Sequence, residues 1–453
     1  MRDLSTIIKA YDVRGVVPDD FDAEIAYAIG GAFARVAKAQ ASDVKSIVLA
    51  YDMRPSSPEL SQAFADGVLA QGLDVVFAGL GSTDMLYFAS GHLDMPGAMF
   101  TASHNPAKYN GIKLCYAGAA PVGQDSGLRE IRAMAEEGVP SYDGARGTSS
   151  ERDVLAEYAA YLNTLVPLGG SRRLKVVVDA GNGMGGYTVP VVLRGLPFDV
   201  DELYFELDGN FPNHEANPLD PKNLVDLQAR VVEVGADIGL AFDGDADRVF
   251  VIDENGDAVT PSAVTALVAV RELAKAPGAS IIHNLITSKG VPEIVTEHGG
   301  VPVRSRVGHS FIKGEMAVTG AVFGGEHSAH YYFKDFWKAD TGMLAAMHVL
   351  AALGEQDKPL SELTAAYSRY VASGEINSTV DDAPAKVAEI EGLYAKYAID
   401  HLDGLTVDGG DWWFNVRASN TEPLLRLNVE AADPATLERV TSDVLTLIRG
   451  SRA

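Results

Sequence analysis

Short, continuously apolar runs rich in β-branched residues alternate with longer segments of helical periodicity over most of the chain. That alternation predicts layered α/β domains, in which strands covered on both faces carry few polar positions. Strands are predicted at Ser46–Ala50, Asp74–Ala78, Ala98–Thr101, Lys175–Asp179, Asp237–Phe242 and Val249–Ile252, with helices at Phe21–Gln40 and Ser57–Gln71 between the first of them. The polar, Gly/Ser/Pro-rich stretch Glu137–Ser150 reads as a linker. A second α/β unit follows, to about Glu254, and a third opens near Thr260 with a helix, a strand at Ile281–Leu285 and another helix. A polar break at Gly354–Lys358 precedes a helix at Ser361–Tyr370. The rhythm then changes to strand, helix Pro384–Tyr397, strand, loop, strand Leu424–Glu430 and helix Pro434–Arg449, an α+β arrangement. Both of these helices open on proline, whose missing N–H costs nothing at the first helical position. The boundaries fall at 1–147, 148–255, 256–360 and 361–453, and no repeat of fixed short period is present.

Composition narrows the class. With 47% apolar and 22% charged residues the chain is globular, and at 453 residues it needs several cores. No apolar stretch reaches the ~18 residues of a membrane span, and MRDLSTIIKAYD lacks the apolar run of a signal peptide. One cysteine, Cys115, excludes an internal disulfide, so a cytoplasmic location is expected, with a monomer or weak dimer as the assembly. A net charge of −25 argues against nucleic acid and anionic membrane as partners. Any anionic substrate would have to be held by a local gathering of Arg, Lys and His.

Four loops carry the chemistry. TASHNP (Thr101–Pro106) follows an apolar run, placing Ser103 at the C-terminal edge of a strand, where α/β folds expose ligand-binding groups; a polar turn is the plain alternative. A Ser–His hydrolase is disfavoured, because neighbours in an extended loop point apart and His104 would be misplaced as a base. In DIGLAFDGDADRVFVID, Asp243, Asp245 and Asp247 alternate between two strands. Three converging carboxylates require a cation, and hard oxygen donors suit Mg²⁺. An EF-hand fails on Arg248, where glycine is needed, and on its flanking strands, although Glu254 holds the twelfth position. Arg248 is instead suited to clamping a phosphoryl oxygen. In GGEHSAHYYF, Glu326, Ser328 and His330 share a face if the segment is extended, as paired sugar hydroxyls would need. RASNTEPLLRL packs Arg417, Ser419, Asn420 and Thr421 ahead of a strand, a cradle for phosphate. A competing signal is Gly181, Gly183 and Gly186 of a formal GxGxxG with Asp201 and Glu202 downstream; Pro190 in the following helix favours a plain strand–turn–helix junction.

Together, in this order, the four loops resemble those of the α-D-phosphohexomutase superfamily, and within it the bacterial phosphomannomutase/phosphoglucomutase group. The resemblance implies an α/β architecture of three related mixed α/β domains plus a C-terminal α+β domain like that of the TATA-box-binding protein, with one active loop per domain. It implies phosphoserine at Ser103, with His104 beside it among the catalytic residues, a Mg²⁺ site formed by Ser103, Asp243, Asp245 and Asp247, and reacting-phosphate contacts from Arg14 in YDVRG and Lys113 in GIKL. Glu326 and Ser328 would bind sugar hydroxyls, His309 in RVGHSFIK would reach the substrate, and Arg417, Ser419, Asn420, Thr421 and Arg426 would hold the non-reacting phosphate. Val307 stands where some relatives have Thr, and Ile286 where some have a substrate-contacting Lys; Lys289 is not a secure replacement.

The mechanism implied is transfer of the Ser103 phosphoryl group to a hexose monophosphate, reorientation of the resulting hexose 1,6-bisphosphate, which also acts as activator, and return of the other phosphate. Lys113 or His330 would accept the hydroxyl proton. GEHSAH favours mannose phosphate, with glucose phosphate second, a placement that would feed GDP-mannose synthesis. Phosphoglucosamine mutase, a metal-dependent serine phosphatase and an NAD-binding oxidoreductase are the alternatives.

Overall fold

The computed structural model describes residues 2–9, 11–418 and 424–450. The predicted strands form nearly where the apolar runs lie, for example Ser46–Tyr51, Asp74–Leu80, Gly97–Phe100 and Leu174–Asp179. They assemble into four sheets. In the first, Ser46–Tyr51 pairs in parallel with Asp74–Leu80 and Gly97–Phe100, and the latter then pairs antiparallel with Tyr109–Tyr116. The second sheet repeats this scheme with Leu174–Asp179 between Phe198–Leu203 and Ile238–Phe242, and Val249–Ile252 antiparallel beyond. The third repeats it again with Ser280–Asn284 between Val301–Ser305 and Phe323–Gly325, and Tyr331–Phe333 beyond. The three domains are therefore topological copies, a relationship that left no periodic trace in the sequence. The last sheet is antiparallel throughout, in the order Val371–Thr379, Leu424–Ala431, Trp412–Ala418, Leu405–Asp408 and Ala398–Asp400. Helices Ala383–Tyr394 and Pro434–Arg449 complete this α+β domain.

One sequence expectation needs correction here. Ser149–Glu151, read as the end of a linker, adds a parallel edge strand to the first sheet beside Asp74–Leu80. The stretch before it is tied down by Arg146 to Asp66 at 2.6 Å and by the Gly147 amide to the Leu69 carbonyl at 2.9 Å. Polar composition marked a strap at the sheet edge, where exposed backbone needs no apolar side chains.

Burial explains which parts act as a unit. One apolar core runs continuously through the first three domains, from Val48 to Leu360, whereas the last domain encloses its own core around Phe414, Leu427 and Val444. Leu285, Ile286 and Trp413 form only a small apolar bridge between the third and last domains. Ions and hydrogen bonds dominate the rest of that junction: Lys289 to Asp408 (3.2 Å), Arg304 to Asp400 (3.3 Å) and the Lys289 amide to buried Glu430 (2.8 Å).

The first three domains also meet at one buried carboxylate. Asp84 accepts hydrogen bonds from Ser82, from Tyr158 of the second domain (2.7 Å) and from Thr341 of the third (2.6 Å). Burial raises its pKa from 3.8 to about 6 against the pull of those hydroxyls. The folded state thus bears a cost for ionised Asp84 that is full above pH 6 and vanishes below the unfolded value. Relative to Asp84→Asn, the wild-type protein is expected to gain stability, on the order of 2 kcal/mol, as pH falls from 6.5 to 4. Urea midpoints of both proteins across that range measure it; a pH-independent gap refutes it.

Candidate active site

The three sequence loops of the first three domains occupy one topological position. Each leaves the third parallel strand and enters the antiparallel strand beside it: residues 101–108, 243–248 and 326–330. Each contains one non-glycine residue in the left-handed region, Ser103 (φ 50°), Ala246 (φ 59°) and Ala329 (φ 65°). A conformation costing roughly 1–2 kcal/mol per residue recurs at the C-terminal edge of all three sheets, where ligand sites form. The loops converge on one cleft of about 1220 Å³, to which the last domain contributes Arg417 and Arg426.

Ser103 is buried, and its hydroxyl donates to Asp243 Oδ2 at 2.9 Å. The left-handed turn also brings Ser103 Oγ to 3.2 Å from His104 Nδ1, so the expectation that the two side chains point apart is wrong: the loop is not extended. His104 Nδ1 is, however, 2.6 Å from Arg248 Nη2, which takes its lone pair. Burial, followed by the Arg248 and Arg14 charges, holds the His104 pKa well below its ordinary value. The imidazole is a neutral wall of the site.

The serine loop is held from beneath by Arg54, which the sequence reading missed. Its side chain is 1% exposed. Nη1 donates to the carbonyls of Pro106 and Tyr109 (both 2.9 Å), and Nη2 to those of Ser103 (2.9 Å) and Asn105 (2.7 Å). Nε pairs with buried Asp52 at 3.2 Å. A charged residue just past a fully apolar strand was the available signal. Arg14 lies at the loop's other side, donating to Asn105 and, at 2.7 Å, to Asp12.

Asp243, Asp245 and Asp247 are buried, with one carboxylate oxygen from each within 4.8 Å of the others. Arg248 Nη2 lies 2.8 Å from Asp243, and Lys113 Nζ lies 2.6 Å from Asp245 and 2.5 Å from Asp247. Burial acts to raise the Asp245 pKa, but the Lys113 ammonium outweighs it and the carboxyl titrates well below the ordinary range. Asp245 Oδ1 and Asp247 Oδ1 are buried without a hydrogen-bond partner. Orphaned anionic oxygens beside one another fit a divalent cation. Glu254, the twelfth position of the rejected EF-hand, caps Ser361 instead, with the amide at 3.0 Å.

The glycine fingerprint supports this loop rather than a nucleotide. A Cβ at Gly183 would come within 2.7 Å of the Gly244 carbonyl, and the Met184 amide donates to that carbonyl at 2.9 Å. Asp201 pairs with Arg230 at 2.8 Å.

Residues 326–330 are a tight turn, closed by the Glu326 amide on the His330 carbonyl (3.0 Å), so the expected extended alternation is not formed. Glu326 is buried; it accepts from Tyr332 (2.6 Å), Asn284 (3.0 Å) and the Gly308 amide (3.2 Å). Ser328 and His330 line the cleft with it. Across from them, Arg417 and Arg426 both reach Glu375, at 3.0 and 3.4 Å. Ser419, Asn420 and Thr421 lie outside the described residues, as does the side chain of His309. A further contributor missed from sequence is the long second-domain loop after Phe198–Leu203: Phe211 stacks on Arg54 at 5.1 Å, and Asn217 and Leu219 line the cleft. Its Asn/Pro-rich composition was the only signal.

Fold and site together are those of a cleft enzyme assembled from four domains. Sequence profiles of the phosphoglucomutase/phosphomannomutase family match all four: α/β/α domain I at 5–139, domain II at 156–256, domain III at 260–370 and the C-terminal domain at 375–447. A phosphohexose mutase of Xanthomonas campestris is 41% identical over 98% of this chain and 99% of its own, and a phosphomannomutase of Escherichia coli is 40% identical with the same coverage. A crystal structure of a phosphoglucomutase/phosphomannomutase family protein from Burkholderia thailandensis superimposes with a TM-score of 0.90 at 33% identity, covering 98% of each chain. The chain belongs to the phosphoglucomutase/phosphomannomutase family, and so to the phosphohexose-mutating isomerases.

Proposed function

We propose that this chain is a phosphomannomutase that interconverts mannose 6-phosphate and mannose 1-phosphate and also accepts glucose phosphates. The observation that carries the reading is the convergence of Ser103, Asp247, Glu326 and the Arg417–Arg426 pair on a single cleft, with Asp243 and Asp245 buried beside Ser103 and Asp247. Ser103 is the residue that carries the phosphoryl group. In the forward step the Oγ–P bond breaks as a bond forms between phosphorus and the free hydroxyl of a hexose monophosphate. The resulting hexose 1,6-bisphosphate turns end for end, and its other phosphate returns to Ser103. The cleft volume of about 1220 Å³ exceeds the several hundred Å³ of ordinary ligand pockets, which leaves room for that rotation.

Phosphoryl transfer depends on positioning and charge neutralisation. Asp243, Asp245 and Asp247, with the Ser103 oxygen, would hold Mg²⁺, which supplies neutralisation of the transferring group when bound. Arg14, Lys113 and Arg248 add fixed positive charge at the same end of the cleft. These side chains offset locally the −25 of the whole chain. Arg417 and Arg426 grip the distal phosphate, for which Glu375 is the competing partner. Lys113 is poorly suited to take a proton, because its ammonium is committed to two carboxylates. His330 is the better acceptor for the hydroxyl proton.

Coupled assays with mannose 1-phosphate, glucose 1-phosphate and glucosamine 1-phosphate, with Mg²⁺ and catalytic hexose 1,6-bisphosphate, test the reading. Mannose and glucose phosphates are expected to isomerise without release of free phosphate, with activity lost to EDTA and restored by Mg²⁺. Preference for glucosamine 1-phosphate, or stoichiometric phosphate release, would overturn it.

A further inference from the structure

Two buried charged residues, Asp340 in the wall of the cleft and Lys313 behind it, have no part in the mechanism above. Asp340 sits on the short strand Ala339–Asp340, paired with Tyr332 of the neighbouring strand, and is 3% exposed. Lys313, 4% exposed, projects from helix His309–Thr319 and places Nζ 2.8 Å from Asp340 Oδ1. The same ammonium lies 4.0 Å from the centroid of the Tyr87 ring. The other carboxylate oxygen, Asp340 Oδ2, is 3.0 Å from Nδ1 of His330. A lysine and an aspartate desolvated together are costly to keep, and this pair joins a helix to a strand of the neighbouring sheet edge.

The chain Lys313–Asp340–His330 has a directional consequence. An ionised carboxylate only accepts hydrogen bonds, so a neutral imidazole facing it must carry its proton on Nδ1. Nε2 is then left with its lone pair on the other side of a ring that lines the cleft and is 22% exposed. Lys313 keeps Asp340 charged by compensating it inside the protein, and the Tyr87 ring shields the ammonium from water. The turn at 326–330 fixes the backbone of the histidine, and a lone antiparallel bridge to Arg248 ties it to the acidic loop.

We propose that Asp340 and Lys313 are positioning residues for the phosphoryl transfer: they set the tautomer and orientation of His330 so that Nε2 faces the attacking hexose hydroxyl. The proton of that hydroxyl moves to Nε2 as its oxygen bonds to phosphorus, and returns to the departing oxygen in the reverse step. The inference rests on the mutase reading.

The test joins kinetics to imidazole ¹⁵N NMR on protein labelled at histidine, with the His330 signals assigned by His330→Gln. In the wild-type protein His330 is expected as the Nδ1–H tautomer; a proton on Nε2 overturns the proposal without any variant. Asp340→Asn is expected to lower kcat at least 100-fold with KM changed less than threefold, because the amide can donate to Nδ1 and reverse the tautomer, as carboxylate-to-amide changes do in other histidine-based sites. An unchanged kcat, or a lowered kcat with the tautomer retained, also overturns it. If the wild-type protein isomerises no hexose phosphate, the functional reading fails instead, and the tautomer still reports on the dyad.

Discussion

Ser103→Ala is expected to lower mutase turnover by roughly 10⁴–10⁶-fold, the scale on which loss of a covalent nucleophile acts. Protein-bound phosphate, measured by intact-mass spectrometry after incubation with hexose 1,6-bisphosphate, should disappear with it. The fold should survive. Alanine gives up one hydrogen bond to Asp243, about 1 kcal/mol, and that carboxylate keeps Arg248. Substrate affinity should persist too, because the distal grip comes from the last domain. A variant that turns over normally would remove Ser103 from the chemistry. One that loses both activity and cooperative unfolding would make it a structural residue.

The second large effect belongs to Arg54. All its N–H directions are used, on three carbonyls of the serine loop, on that of Tyr109 just beyond it and on Asp52. Burial acts to lower its pKa, with Asp52 and Asp245 opposing that loss of charge. Arg54→Met leaves buried Asp52 without its counter-charge and takes a donor from each of four carbonyls, and a cost of about 3–5 kcal/mol is expected in urea unfolding. Arg54→Lys is the sharper probe. A lysine restores the charge and not the planar fork, so two or more carbonyls stay unsatisfied. The loop then loses the geometry that holds Ser103 at positive φ, and kcat should fall by at least 100-fold while the protein remains folded. If Arg54→Lys matches the wild type in kcat, the guanidinium cradle does not set the serine.

Much of this molecule was legible before any coordinates. Apolar runs such as Ile47–Ala50 and Val176–Val178 announce buried parallel strands because both faces of such a strand are covered. Capping prolines placed the last helix, Pro434–Arg449, to the residue. Ser103, the Asp243–Asp247 triad and Glu326 were named because their residue types are expensive or idle unless chemistry employs them. Arg54 and Asp340 were not. Each does its work through partners about 50 or 10 residues away in the chain, and neither carries a motif.

The sequence alone thus determined the α/β elements, the four chemical loops and the family they resemble, since periodicity and residue type are local properties. Only the tertiary structure decided that three of those loops are the same turn in three copies of one sheet. It also decided that Ser103 turns toward Asp243 and His104 through a left-handed backbone, and that residues 326–330 fold into a tight turn. The reason is physical: backbone conformation in a polar loop is set by the hydrogen bonds and charges that surround it. Here those are the guanidinium of Arg54, the ammonium of Lys113 and carboxylates from other domains, brought together only by packing.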